Sequence, residues 1–175
     1  MLVAVGSPSR NLKNKTLPVR IAQQLGVTRG FLFGSARPLR AGNTGFVVIR
    51  DHINLLGDNP LIGPNPEAFG ARFPDMTEIY QEEIRRSLAG ITGEGNQDGI
   101  LVARPEPEKL SESEKKALRE VGDCYCSVHL VPEAIVARHG NMEFGAIIYS
   151  PGDENGSLPE PDITRIFQRA IEQLF

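Results

Sequence analysis

Residues Val47–Met76 read VVIRDHINLLGDNPLIGPNPEAFGARFPDM, and this stretch decides the reading of the chain. An apolar run over Phe46–Ile49 ends in Arg50-Asp51-His52. A long Pro-, Gly- and Asn-rich segment follows that still carries Ile53, Leu55, Leu61, Phe69 and Phe73. Loops of this length in a compact domain are functional or disordered. Side chains this large argue against disorder, because they gain free energy by burial. The segment therefore reads as an ordered loop that needs a covering surface.

Around it the chain alternates short apolar runs with helix-like segments, the pattern of an α/β domain. The runs that read as strands are Leu2–Val5, Phe31–Phe33, Phe46–Asp51, Ile100–Ala103, Cys124–Leu130 and Phe144–Tyr149. Several are apolar almost throughout, as expected for strands covered on both faces. Helices are expected at Leu17–Leu25, with Pro18 in its first turn and Gly26 as its stop, and at Thr77–Leu88 behind an Asp75/Glu78 capping pattern. Ser111 and Glu114 repeat that pattern before a helix ending at Val121-Gly122, and Pro132–His139 stops at Gly140. Ile163, Ile166, Phe167, Ala170, Ile171 and Leu174 form an apolar stripe at helical spacing, read as a core-facing surface. Thr92–Asp98 and Pro151–Pro161 read as surface connections.

The 175 residues suit one domain, 1–175, with enough chain for a real core. A formal net charge of −3 gives no pull toward nucleic acid or anionic membrane, and no apolar run approaches a membrane span. The start turns polar too early for a signal-peptide core, so a cytoplasmic location is expected. Cys124 and Cys126 read as reduced core thiols; with His129 they supply three ligands, short of a closed zinc site. No metal or cofactor is expected.

Four blocks give a more specific reading. Leu17-Pro18-Val19-Arg20 with Leu25-Gly26-Val27, the Val47–Met76 segment, Leu101–Glu108 with its following helix, and Val131–His139 with Phe144-Gly145 together resemble the trimeric purine nucleoside phosphorylases. The resemblance covers most of Leu17–Tyr149. It implies a nucleoside-phosphorylase-like α/β fold with a mixed central sheet flanked by helices, and a homo-oligomer, a trimer before a dimer. It also implies that Phe69 closes a neighbouring subunit's site, that Glu108 accepts from a purine ring N–H, and that Val128 and His129 stand where ribose and phosphate are lined.

The departures from the family pattern point elsewhere. Nothing before Leu17 resembles the family's phosphate-loop segment, and its phosphate- and ribose-holding Arg and His fall at Val3 and Val5. The aromatic beside the purine carboxylate becomes Pro107. The Asn that donates to N7 of the leaving purine falls at Pro151, which has no amide side chain and no N–H. The expectation is a catalytically impaired or inactive homologue with a scaffold, assembly or weak purine-binding role. The rival expectation is an enzyme on purine nucleosides, by residual phosphorolysis or by hydrolysis of the N-glycosidic bond at a rebuilt site using Glu108 and His129. A third is a fragment completed by a partner chain.

Three further readings are local. His52 after Asp51 reads as a hydrogen-bonded anchor before a carboxylate-oriented base. His139 reads as a cationic helix C-cap. Gly34-Ser35 reads as a tight turn.

Overall fold

The computed structural model describes residues 2–5, 11–92, 98–105, 109–151 and 163–174, the first of these as backbone only. Seven strands and five helices follow in the order β1 (Leu2–Val5), α1 (Leu12–Gln24), β2 (Arg29–Ser35), β3 (Arg37–Pro38), β4 (Gly45–Asn54), α2 (Glu82–Thr92), β5 (Asp98–Ala103), α3 (Glu112–Val121), β6 (Cys124–Ser127), α4 (Val131–His139), β7 (Glu143–Ser150) and α5 (Ile163–Leu174). They form one mixed sheet of order β1-β2-β7-β4-β5-β6-β3. β1, β2 and β7 run parallel, as do β4, β5 and β6, and the two groups meet where β4 runs antiparallel to β7. The α/β architecture expected from the alternating pattern is the one found, and the sheet is mixed, as the resemblance implies.

The apolar strands divide their side chains by parity, because successive residues of a strand point to opposite faces. Leu32, Val47, Ile49, Leu101, Tyr125, Phe144 and Ile148 pack with Val19 and the apolar face of α4. Phe31, Phe33, Val48 and Ile147 face the other way, onto Ile84, Leu88 and Ile91 of α2 and onto Ile166 and Ala170 of α5. At the β5–β6 edge, Ile100, Val102, Cys124 and Cys126 meet Leu110 and Leu118 under α3. Both cysteines are buried free thiols, and burial pushes that of Cys126 up to about 11.

Several boundaries move from their sequence positions. α1 starts a turn and a half earlier than Leu17, since Asn11 caps it by accepting from Lys13 N at 2.9 Å. Pro18 then lies inside the helix; both it and Asn14, whose carbonyl loses its donor, are exposed, so water takes up the loss. The pattern at Asp75 is no helix cap: its Oδ1 accepts from Thr77 N and Oγ1 at 2.9 and 2.6 Å, a local turn that satisfies Asp75 before a helix can form, and α2 begins only at Glu82. The strand expected over Cys124–Leu130 ends at Ser127, whose hydroxyl takes the His129 N–H while Leu130 adopts φ 74° to open α4. Gly34-Ser35 continues β2 and is no turn. Ile171 is exposed, leaving Ile166, Phe167 and Ala170 as the buried side of α5.

Other readings hold. Ser111 and Glu114 form a capping box on α3, and hydrogen bonds from Ser111 and Arg104 hold the Glu114 carboxyl down to about 2. Residues 55–81 contain no helix or strand and rest Leu56, Leu61 and Met76 on the core. The two expected surface connections lie largely outside the described residues. No helix among the described residues is long and apolar enough to cross a membrane.

Candidate functional site

Ligands of α/β sheets gather at the carboxyl ends of strands, and here the sheet curls so that two such ends converge. β2 passes through Ala36 into β3, which pairs antiparallel with β6 at Arg37↔Cys126. The ends of β2 and β6 are then tied by a hydrogen bond from Ser127 Oγ to the Ser35 carbonyl at 3.0 Å. Val128 and His129 leave this junction and lead into α4.

α1 lies over the junction. Lys15 and Thr16 share its buried face with Val19 and Ala22. The Lys15 ammonium donates to the Val128 carbonyl. Burial lowers the ammonium's pKa, and the buried Glu133 carboxylate on α4 pulls it back up. His129 is half-buried, and its Nδ1 is enclosed with no hydrogen-bond partner among the described residues. Burial, then the nearby Lys15 charge, lowers its pKa. The corner thus presents a neutral imidazole, an apolar Val128 and an ammonium committed to a carbonyl.

The expected site residues do not gather in one place within the chain. Val128 and His129 stand at the amino end of α4. Phe69 belongs to its carboxyl end, where the Arg20 guanidinium lies 4.4 Å over the Phe69 ring and 3.0 Å from His139 Nδ1. A nine-residue helix separates the two by roughly 13 Å of axial rise. Glu108, with Glu106 and Pro107, lies outside the described residues; so do the side chains of Val3 and Val5. Pro151 is exposed at the end of β7.

The remaining histidines are structural. The Asp51 carboxylate accepts the His52 backbone N–H at 2.7 Å, while His52 Nδ1 hydrogen-bonds the Tyr80 hydroxyl at 3.2 Å, an anchor between β4 and the segment leading to α2. Burial lowers the His52 pKa and raises that of Tyr80, so both are neutral there. His139 is no cationic cap. An arginine has only donors to offer, so Nδ1 must accept from Arg20 and Nε2 must carry the proton that reaches Asn65 Oδ1 at 3.0 Å. Burial and Arg20 favour the neutral ring over the helix-end preference for a cation. Among the described residues no group of three His, Cys, Asp or Glu side chains could hold a metal ion.

Lys15, Glu133 and Tyr80 escape a reading by motif. A signal exists for two of them. Lys15 recurs with Val19 and Ala22 at helical spacing, once α1 is seen to start at Leu12. Glu133 is the lone carboxylate in a helix apolar on every side, and a buried charge of that kind needs a partner.

A profile described as "Phosphorylase superfamily" matches residues 16–174. The chain is 36% identical over 154 residues to purine nucleoside phosphorylase 1 of Geobacillus stearothermophilus, covering 83% of this chain and 55% of that protein. It is 39% identical over 144 residues to the purine nucleoside phosphorylase of Bos taurus, covering 74% and 49%. It therefore spans about half the length of the curated relatives it matches. A crystal structure of the Schistosoma mansoni purine nucleoside phosphorylase superposes with a TM-score of 0.81 at 26% identity, covering 95% of this chain and 68% of the other.

Proposed function

This chain belongs to the purine nucleoside phosphorylase family within the phosphorylase superfamily, and from that premise we propose that it is a cytoplasmic, self-associating protein that binds purines weakly and is impaired in phosphorolysis. The observation behind this reading is the corner at the end of β6. Phosphorolysis needs positive charge or N–H donors around phosphate and a donor for the departing purine. At the positions the resemblance assigns to ribose and phosphate stand Val128 and a neutral His129, with the Lys15 ammonium turned to a backbone carbonyl. At the position that the resemblance assigns to the purine N7 donor stands Pro151. Loss of one preorganised donor costs roughly 10²–10³ in rate, and several such losses need not multiply.

Self-association rests on the segment after β4. Ile62 and Phe73 are 73% and 87% exposed, too apolar to be left to water. A cyclic homo-oligomer, a trimer before a dimer, would cover them and bring Phe69 to a neighbour's site. Base recognition falls to Glu108, whose single charge-assisted hydrogen bond is worth about 1.5–3 kcal/mol.

The test is phosphate-dependent release of hypoxanthine from inosine, paired with calorimetry of hypoxanthine on the wild type and Glu108→Gln. Turnover about 100-fold or more below an ordinary phosphorylase is expected, with purine affinity no tighter than high micromolar and weakened by Glu108→Gln. Ordinary phosphate-dependent turnover overturns the reading.

One observation favours the rival, an active enzyme. The enclosed Nδ1 of His129 has no hydrogen-bond partner among the described residues, which leaves it open to a substrate hydroxyl or an attacking water. Base release that proceeds equally well without phosphate, and is lost in His129→Ala, would identify hydrolysis of the N-glycosidic bond.

A further inference from the structure

We infer that Arg20, His139 and Asn65 form a proton-sensitive latch that holds the long segment after β4 onto α1 and α4 and releases it when His139 takes up a proton. The segment has no helix or strand between residues 55 and 81, so its position depends on discrete grips. Three of them converge on the carboxyl end of α4. His139 Nε2 donates to Asn65 Oδ1 at 3.0 Å, and Asn65 Nδ2 donates to the Gly70 carbonyl at 3.0 Å. The Gly70 backbone lies so close that an added Cβ would stand 2.0 Å from the His139 carbonyl oxygen. Phe69 is held by the Arg20 guanidinium over its ring, and Arg20 is fixed in turn by His139 Nδ1 at 3.0 Å and Gln23 Oε1 at 3.2 Å.

One proton undoes the Arg20 and Phe69 grip of this arrangement, while the Nε2–H bond to Asn65 survives it and is left to hold the segment without that support. A proton on Nδ1 would point at the Arg20 N–H, donor against donor, with two cations 3.0 Å apart at a buried ring. Arg20 must then leave, and Phe69 loses the cation on its ring. The charged groups near the ring are Arg20 from α1 and, on α4 itself, Arg138, whose Nε donates to the Asp75 carbonyl at the far end of the same segment. The segment offers Asn65 and Gly70, neither of which titrates. Burial and Arg20 both lower the His139 pKa in the closed state. Opening hydrates the ring and frees it from Arg20, so the open form binds the proton better. The latch is fully present above pH 6.5, weakens as pH falls below that value, and levels off once pH passes the lowered pKa of the closed state.

Hydrogen exchange on the full chain between pH 7.5 and 5, corrected for intrinsic rates, tests this at the hydrogen-bonded amides of Leu61, Ile62 and Phe69, with β7 as internal reference. His52 and His129 are neutral in the fold as well, so acid weakens the whole molecule. The expected signature is a fall in segment protection beyond that of β7, limited to about tenfold per pH unit for one proton, and absent from His139→Gln. A segment that shows no step of its own, or a step that persists in His139→Gln, overturns the latch. Should His139→Gln fail to fold, Asn65→Ala decides. Segment protection lost at pH 7.5 with β7 intact supports the latch, and protection unchanged or lost jointly with β7 refutes it.

Discussion

Lys15 donates its ammonium to the carbonyl of Val128, so the first turns of α1 and the β6–α4 junction are locked together by one buried cation. The same charge is balanced by Glu133 on α4. The corner at the head of α4 thus holds two buried opposite charges turned inward, with Lys15 bonded to a carbonyl and influenced by the Glu133 carboxylate through its field, rather than groups directed outward.

Removing one of these two buried charges is expected to be costly. Lys15→Met leaves the Glu133 carboxylate buried without its cation and the Val128 carbonyl without its donor, a loss of about 3–5 kcal/mol. Removing both charges together in Lys15→Met/Glu133→Gln recovers part of that loss, because no uncompensated charge remains. Urea unfolding of the single and double variants measures both. Additive losses would show that the two side chains act separately.

Gly99 predicts an overpacking cost. An added Cβ there would lie 2.7 Å from both Tyr125 Cε2 and Val47 Cγ1, two buried side chains held between strands. Gly99→Ala is expected to cost about 1–3 kcal/mol. At Gly26, with φ 79° and nothing within 4 Å of an added Cβ, only the backbone conformation resists, and Gly26→Asn should cost less than Gly26→Ala. Chemical denaturation of the three variants ranks them.

The buried titrating groups bound the stable pH range from both sides. His52 and His129 carry lowered pKa values, mainly through burial. The unfolded chain therefore takes up protons first, and stability present above pH 6.5 is lost as pH falls below it. At the alkaline end, burial pushes the Tyr125 phenol up from 10.0 to about 12, so its contribution is complete below pH 10 and is lost as pH rises from there toward 12. Thermal melting across pH 5–11 should trace both flanks. His52→Phe also removes the bond to Tyr80, so His129→Asn is the cleaner probe of the acid flank.

The exposed apolar side chains of the segment after β4 make assembly testable. Phe73→Asp and Ile62→Asp replace side chains that touch water in the isolated chain, so neither should lower monomer stability by more than about 0.5 kcal/mol. Light scattering is expected to show a cyclic oligomer for the wild type and its dissociation in both variants. A wild-type monomer at micromolar concentration would remove the basis for assembly.

The fold is largely legible in the sequence, because its signals are local. Strands apolar at every position, such as Phe31–Phe33 and Val47–Ile49, announce a sheet covered on both faces, and Ser111 with Glu114 marks a helix start by satisfying its own N–H groups. Local signals fail where two chemistries compete for one pattern. Asp75 with Glu78 imitates a capping box, yet the Thr77 hydroxyl and N–H take the Asp75 carboxylate first. Pro18 imitates a first-turn residue, yet the Asn11 cap upstream outweighs one lost hydrogen bond. The candidate site was less legible for a different reason. The residue types at Val128, His129 and Pro151 are written in the chain, but what surrounds them is not. Only the curled sheet brings Ser35 beside Ser127. Only the packing of α1 on α4 sets Lys15 against Val128, and only the same pairing turns His139 from a helix-end cation into a neutral bridge between Arg20 and Asn65. Hydrophobic periodicity decides which side of an element is buried, a property of neighbours in sequence. The partner that a buried polar group finds is decided by residues more than a hundred positions away, as with Lys15 and Val128, and that choice belongs to the tertiary structure.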